Sequence, residues 1–70
     1  MQDNKSTVRG HIEEALPNAL FKVTLEEDGT EVLAYLAGKM RIHRIKVLVG
    51  DTVLLMLDPY GGRARIVRRL

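Results

Sequence analysis

Seventy residues with no cysteine build one small domain around one core, and they exclude a disulfide, a thiolate metal site and a thiol nucleophile. No stretch approaches the roughly 18 apolar residues of a membrane span, and the polar start Met1-Gln2-Asp3-Asn4-Lys5-Ser6 is not expected to act as a secretory signal. The formal charge of +2 hides a strong asymmetry: residues 1–38 hold three Lys/Arg against seven Asp/Glu, and residues 39–70 hold eight against two. Within 37–46, Lys39, Arg41, Arg44 and Lys46 stand without a single acid. A second cluster follows at Arg63, Arg65, Arg68 and Arg69. A basic half of this kind is the electrostatic footprint expected of a phosphate-backbone binder.

Residues 1–5 are expected to form a flexible tail ahead of a single domain spanning 6–70. From Thr7 the chain reads as short strands separated by turn chemistry. Val8, Gly10 and Ile12 alternate with Arg9, His11 and Glu13, which predicts a half-buried first strand. Leu16-Pro17-Asn18-Ala19 puts Pro at the second position of a β-turn and Asn at the third, where each is favoured. Phe21, Val23 and Leu25 alternate with Lys22, Thr24 and Glu26 in a second strand. Glu27-Asp28-Gly29-Thr30 carries the Asp-Gly hairpin signal. Val32 to Leu36 reads as a third strand.

The next connection, Ala37 to Asp51, runs for about fifteen residues. Such a length without structure is unusual in a compact domain, so a short helical turn is predicted around Lys39–His43. Met40, Ile42, Ile45 and Val47 are expected to pin it to the sheet while the basic side chains face outward. Thr52 to Leu57 is a fourth strand, apolar on both faces. Asp58-Pro59-Tyr60-Gly61-Gly62 is a loop, and Arg63 to Arg68 a fifth strand. Five strands with a helical insert after the third describe an all-β fold, a five-stranded Greek-key barrel of the OB type. Closure also removes the sheet edges that so short a chain cannot cover. An SH3-like barrel is the second possibility; the helical connection favours OB.

No catalytic constellation is present. The only serine, Ser6, directly follows the tail, ahead of the first strand and away from any rigid base. His11 and His43 are isolated, and no His/Asp/Glu spacing suggests a metal. Glu26-Glu27-Asp28 lacks the alternating oxygen ligands of a calcium loop and reads as a hairpin shoulder. Gly38-Lys39 lacks the preceding glycine and following Ser/Thr of a phosphate-binding loop. No cofactor is implied, and the chain is not read as an enzyme.

The aromatic residues are only Phe21, Tyr35 and Tyr60. Single-strand binders stack successive bases on aromatic platforms, so recognition is expected to rest on charge and on a preformed shape, as with structured RNA. Phe21 falls in core phase; Tyr35 either stacks a base or packs at a barrel end. The candidate RNA-binding residues are Gly38, Lys39, Met40, Arg41, His43, Arg44 and Lys46, with Arg63, Arg65, Arg68 and Arg69 as a second basic wall. Gly38 would let the backbone approach RNA or make a tight turn. His43 either touches phosphate or base or is an ordinary exposed residue.

Several of these residues carry a family resemblance. Leu16-Pro17-Asn18, Phe21-x-Val23-x-Leu25, Gly38-Lys39-Met40-Arg41, Ile45, Gly50-Asp51-x-Val53, Pro59-Tyr60 and Arg65-Ile66-Val67-x-Arg69 occur in this order. From about residue 8 to the C-terminus the chain closely resembles translation initiation factor one of bacteria and plastids. The resemblance implies an OB barrel, monomeric when free, that binds the small ribosomal subunit at the decoding A site through 16S rRNA and an adjacent ribosomal protein. It implies occlusion of that site from tRNA, and work alongside initiation factors two and three. It also implies a cytoplasmic address, or the plastid stroma for an organellar chain. The family's basic contacts fall here on Lys39, Arg41, Lys46 and the C-terminal arginines.

There are departures. Ala37 replaces a usual Ser, Tyr35 a frequent His and Arg44 a common Tyr, and the loop after Tyr60 is shorter. Leu54 and Met56 stand where Thr and Glu are usual, and should form an exposed apolar strip opposite the core face of Val53, Leu55 and Leu57. Two other readings remain: a general RNA chaperone of OB fold, and a protein-interaction barrel using the Leu54/Met56 face.

Overall fold

The computed structural model describes residues 7–58 and 60–70; the expected tail at 1–5 and Pro59 lie outside them. Five strands form: β1 (Thr7–Leu16), β2 (Leu20–Leu25), β3 (Glu31–Leu36), β4 (Thr52–Met56) and β5 (Ala64–Arg69). One short helix, α1 (Gly38–Ile42), joins β3 to the β4 side. The strands close in the order β1-β2-β3-β5-β4, with β3 and β5 parallel and every other pair antiparallel. This is the five-stranded OB barrel that the strand spacing predicts.

Alternation builds the core. Ile12, Val23, Leu25, Ala34, Val53, Leu55, Ala64 and Ile66 point inward from the strands. Met40 of α1 and Val47 of the connection close one end. β1 is long enough to pair with β2 through one part and β4 through another, which lets the sheet curl shut. A register shift between Ile12 and Glu14 leaves Glu13 as an extra residue and bends β1 at the point where closure needs it.

The turns follow their chemistry. Asn18 takes the left-handed conformation (φ 65°) that the third turn position favours. The β2–β3 turn is wider than a two-residue hairpin: Leu25 N–H donates to the Thr30 carbonyl at 2.8 Å and Gly29 N–H to the Leu25 carbonyl at 2.9 Å. Within it the Asp28 carboxyl accepts from Thr30 N–H at 3.0 Å, and this bond holds its pKa below the ordinary carboxylate range.

Three packing expectations need correction. Ile42 is 77% exposed and Ile45 is 38% exposed, so only Met40 and Val47 pin the connection. A helix of little more than one turn can aim only one side chain at the barrel, and Met40 takes that place. Leu57 lies past the end of β4 and is exposed rather than part of the core. Leu54 and Met56 do face outward, yet both are half-buried. Their register partners are Arg68 and Arg9 for Leu54, and Arg65 and Thr7 for Met56. Arginines on both sides of Leu54 and on one side of Met56 can shelter the strip with their aliphatic stems.

Candidate nucleic-acid interface

The eight cations after Gly38 are set out by three local devices. The first is α1 and its exit. Because Met40 turns into the core, Lys39 and Arg41 on either side of it are exposed. The helix ends in a Schellman arrangement: Ile45 N–H donates to the Met40 carbonyl at 2.9 Å and Arg44 N–H to the Arg41 carbonyl at 3.1 Å. The left-handed position of that motif, usually glycine, is held by Arg44 (φ 53°). An L side chain there costs about 1–2 kcal/mol. Arg44→Gly should therefore keep the fold and raise its stability by up to about 1 kcal/mol. Thermal melting checks this; a lowered melting temperature would make the Arg44 side chain a structural element.

The second device is a bulge in β5. Leu54 and Leu55, adjacent in β4, pair with Arg68 and Ile66, so Val67 is the extra residue. A regular strand would turn Ile66 and Arg68 to the same side. The inserted residue instead puts Arg68 on the outer face with Arg65 and leaves Ile66 buried. Beside them Arg63 and Arg65 share a cavity of about 230 Å³ with Tyr35, Met56 and Asp58. Tyr35 is the parallel register partner of Arg65, so it belongs to the outer basic face and not to a barrel end.

The third device joins the clusters. Arg69, opposite Val53, reaches back so that its Nη1 donates to the Lys46 carbonyl at 3.0 Å. The C-terminal arginines and the α1 segment thus meet at one end of the barrel.

Among the described residues none of the eight cations is in an ion pair. The ion pairs lie on the acidic side: Arg9–Glu26 at 3.7 Å, and Lys22 with Glu14 at 3.8 Å and Glu31 at 3.9 Å. His11 belongs there too, with Nε2 at 3.1 Å from Glu26 and Nδ1 at 3.2 Å from the Thr52 hydroxyl. It links β1 to β4 and to the β2–β3 turn.

Two candidates change meaning. Met40 is 2% exposed and cannot present its side chain to RNA; it holds the segment in place. Gly38 has no positive φ, and nothing lies within 4 Å of where a Cβ would stand, so a tight turn is not its reason. His43 is exposed at the C-cap of α1. Sequence reasoning missed a groove of about 510 Å³ against α1. Phe21, Leu36, Met40 and Val47 line it, and Arg41, Arg44 and Lys46 stand at its mouth. The only trace in the sequence is that Leu48 and Val49, apolar and exposed, follow a basic run. Among the described residues no three His, Cys, Asp or Glu side chains gather as a metal site, and no helix is long and apolar enough to cross a membrane.

Comparison with known proteins bears on the family and the fold. The family model described as translation initiation factor 1A / IF-1 matches residues 1–70. Among solved structures the chain is similar to translation initiation factor one from the wolbachia endosymbiont strain TRS of Brugia malayi. That match has a TM-score of 0.76 at 34% identity and covers 99% of this chain and 86% of that one. It is also similar to part of YjeQ from Thermotoga maritima, with a TM-score of 0.77 at 30% identity. There the match covers 91% of this chain but only 22% of that longer one.

Proposed function

This chain belongs to the translation initiation factor 1A / IF-1 family, and we propose that it binds the small ribosomal subunit at the decoding A site through 16S rRNA. There it keeps tRNA out, touches an adjacent ribosomal protein and works beside initiation factors two and three. The observation that carries this reading is the set of eight cations after Gly38, free of ion pairs among the described residues and fixed on a closed barrel. Lys39, Arg41, Arg44 and Lys46 meet rRNA phosphates, and Arg65 and Arg68 form a second wall. Tyr35, beside Arg63 and Arg65, offers the one aromatic face set among guanidinium groups on that wall. Occlusion needs shape and charge but no bond-making step, so the role is non-enzymatic. The factor is monomeric when free and works in the cytoplasm, or in the stroma if organellar.

Lys39→Ala with Arg41→Ala tests it. Both residues are exposed, and folding stability should change by less than about 0.5 kcal/mol for each. Subunit affinity should fall by about 1 kcal/mol or more for each, because charge-assisted hydrogen bonds are the stronger class. Thermal melting and subunit binding at fixed salt are the two measurements, and tRNA in the A site should compete. An intact fold with unchanged subunit affinity would overturn the proposal and leave 38–46 a solvated loop.

A further inference from the structure

The groove against α1 has a chemistry that phosphate contacts do not use. Apolar side chains dominate its lining, from Phe21, Leu36, Met40, Ile45 and Val47. A large apolar side chain loses nothing against them, whereas a polar group finds side-chain partners only at Arg41, Arg44 and Lys46. Leu48, 65% exposed, extends the apolar wall outward. Arg41, Arg44 and Lys46 stand at the mouth, with no ion-pair partner among the described residues. Charge complementarity therefore calls for carboxylates around an apolar anchor. The groove is open to solvent, and its volume of about 510 Å³ leaves room for one large side chain.

We propose that this groove receives an acidic segment of a partner protein, with one large apolar side chain seated on Phe21 and Leu36 and flanking Asp or Glu carboxylates on Arg41, Arg44 and Lys46. The inference does not depend on the ribosomal reading. The two share the same three cations, however, so the segment and rRNA exclude one another.

A fluorescein-labelled peptide with a central Phe between runs of Asp and Glu is the probe, read by fluorescence anisotropy. Replacing its Phe by Ser should weaken binding at least about tenfold, the effect of burying one large apolar side chain. Leu48→Ser, an exposed change outside the proposed phosphate contacts, should weaken the Phe peptide several-fold and leave subunit affinity unchanged. Equal binding of the Phe and Ser peptides to the natural chain would overturn the proposal, since charge alone would then explain it, and this arm needs no variant to fold. A Leu48→Ser effect on phosphatidylglycerol vesicles or on oligouridine, with none on the peptide, would overturn it as well. Subunit binding measured separately keeps a failure here distinct from a failure of the ribosomal reading.

Discussion

Gly10→Ala should lower the stability of this domain by about 1–3 kcal/mol, the usual cost of forcing extra volume into a packed core. A single small core leaves a margin of only roughly 3–5 kcal/mol, so one methyl group would remove a large part of it. Gly10 sits in β1 opposite Leu25 on one side and Val53 on the other, and it is buried. A Cβ added there would stand 2.6 Å from Val23 Cγ1, 3.0 Å from Leu55 Cδ1 and 3.1 Å from the Thr24 carbonyl oxygen. Val23 and Leu55 are fully buried and have no free space to turn into. The carbonyl belongs to the strand pairing between β1 and β2, so it cannot retreat without loosening that ladder. Urea denaturation measures the effect as a lower midpoint at an unchanged slope. A variant as stable as the natural chain would mean that β1 can shift outward, and would contradict the tight approach of β1 to β2.

The position of Gly10 in the core phase is legible in the sequence, from its alternation with Val8 and Ile12. The reason for a glycine is not, because the crowding atoms come from Val23 and Leu55, and only the closed barrel brings them together. The same division runs through the fold. Alternation in β1, β2 and β3 and turn residues such as Asn18 are local signals; they placed β2 and β3 within a residue, whereas β1 runs three residues past the alternation, to Leu16 beyond its bulge. Thr52 to Leu57 is apolar on both faces, so its pattern carries no sign of where pairing stops, and β4 ends at Met56 with Leu57 outside. The connection after β3 was harder still. Ile42 and Ile45 look like anchors by type, yet a helix as short as α1 turns only Met40 inward.

The basic residues were legible as a set, because charge asymmetry survives any fold. Their grouping was not. The bulge that puts Arg65 and Arg68 on one face has no signature in Arg63-Ala64-Arg65-Ile66-Val67-Arg68-Arg69, where strict alternation would separate them. The left-handed Arg44 is equally hidden, since glycine or asparagine is the residue that marks such a position. Met40 lies within the Gly38-Lys39-Met40-Arg41 stretch that carries the resemblance, and it is buried while Lys39 and Arg41 on either side of it are exposed.

Binding to small subunits should collapse as salt rises. Each phosphate neutralised contributes roughly −0.7 to −0.9 to the slope of log affinity against log salt. The two basic clusters supply eight cations after Gly38, and none gives up its charge to an internal carboxylate among the described residues. Even if only half of them meet phosphate, the slope is about −3 or steeper. A roughly fourfold rise in salt would then weaken binding by about 60-fold. The acidic half does not cancel this: its carboxylates Glu14, Glu26 and Glu31 pair with Arg9 and Lys22, while the cations near α1 and on β5 are exposed to solvent. Lys39→Ala with Arg41→Ala should flatten the slope by up to about 2, one unit or a little less for each lost contact. The measurement is subunit affinity at four or more salt concentrations for the natural chain and the double variant. A slope near zero in the natural chain would remove electrostatics as the basis of recognition. An unchanged slope in the variant would shift the phosphate contacts from α1 to the arginines of β5.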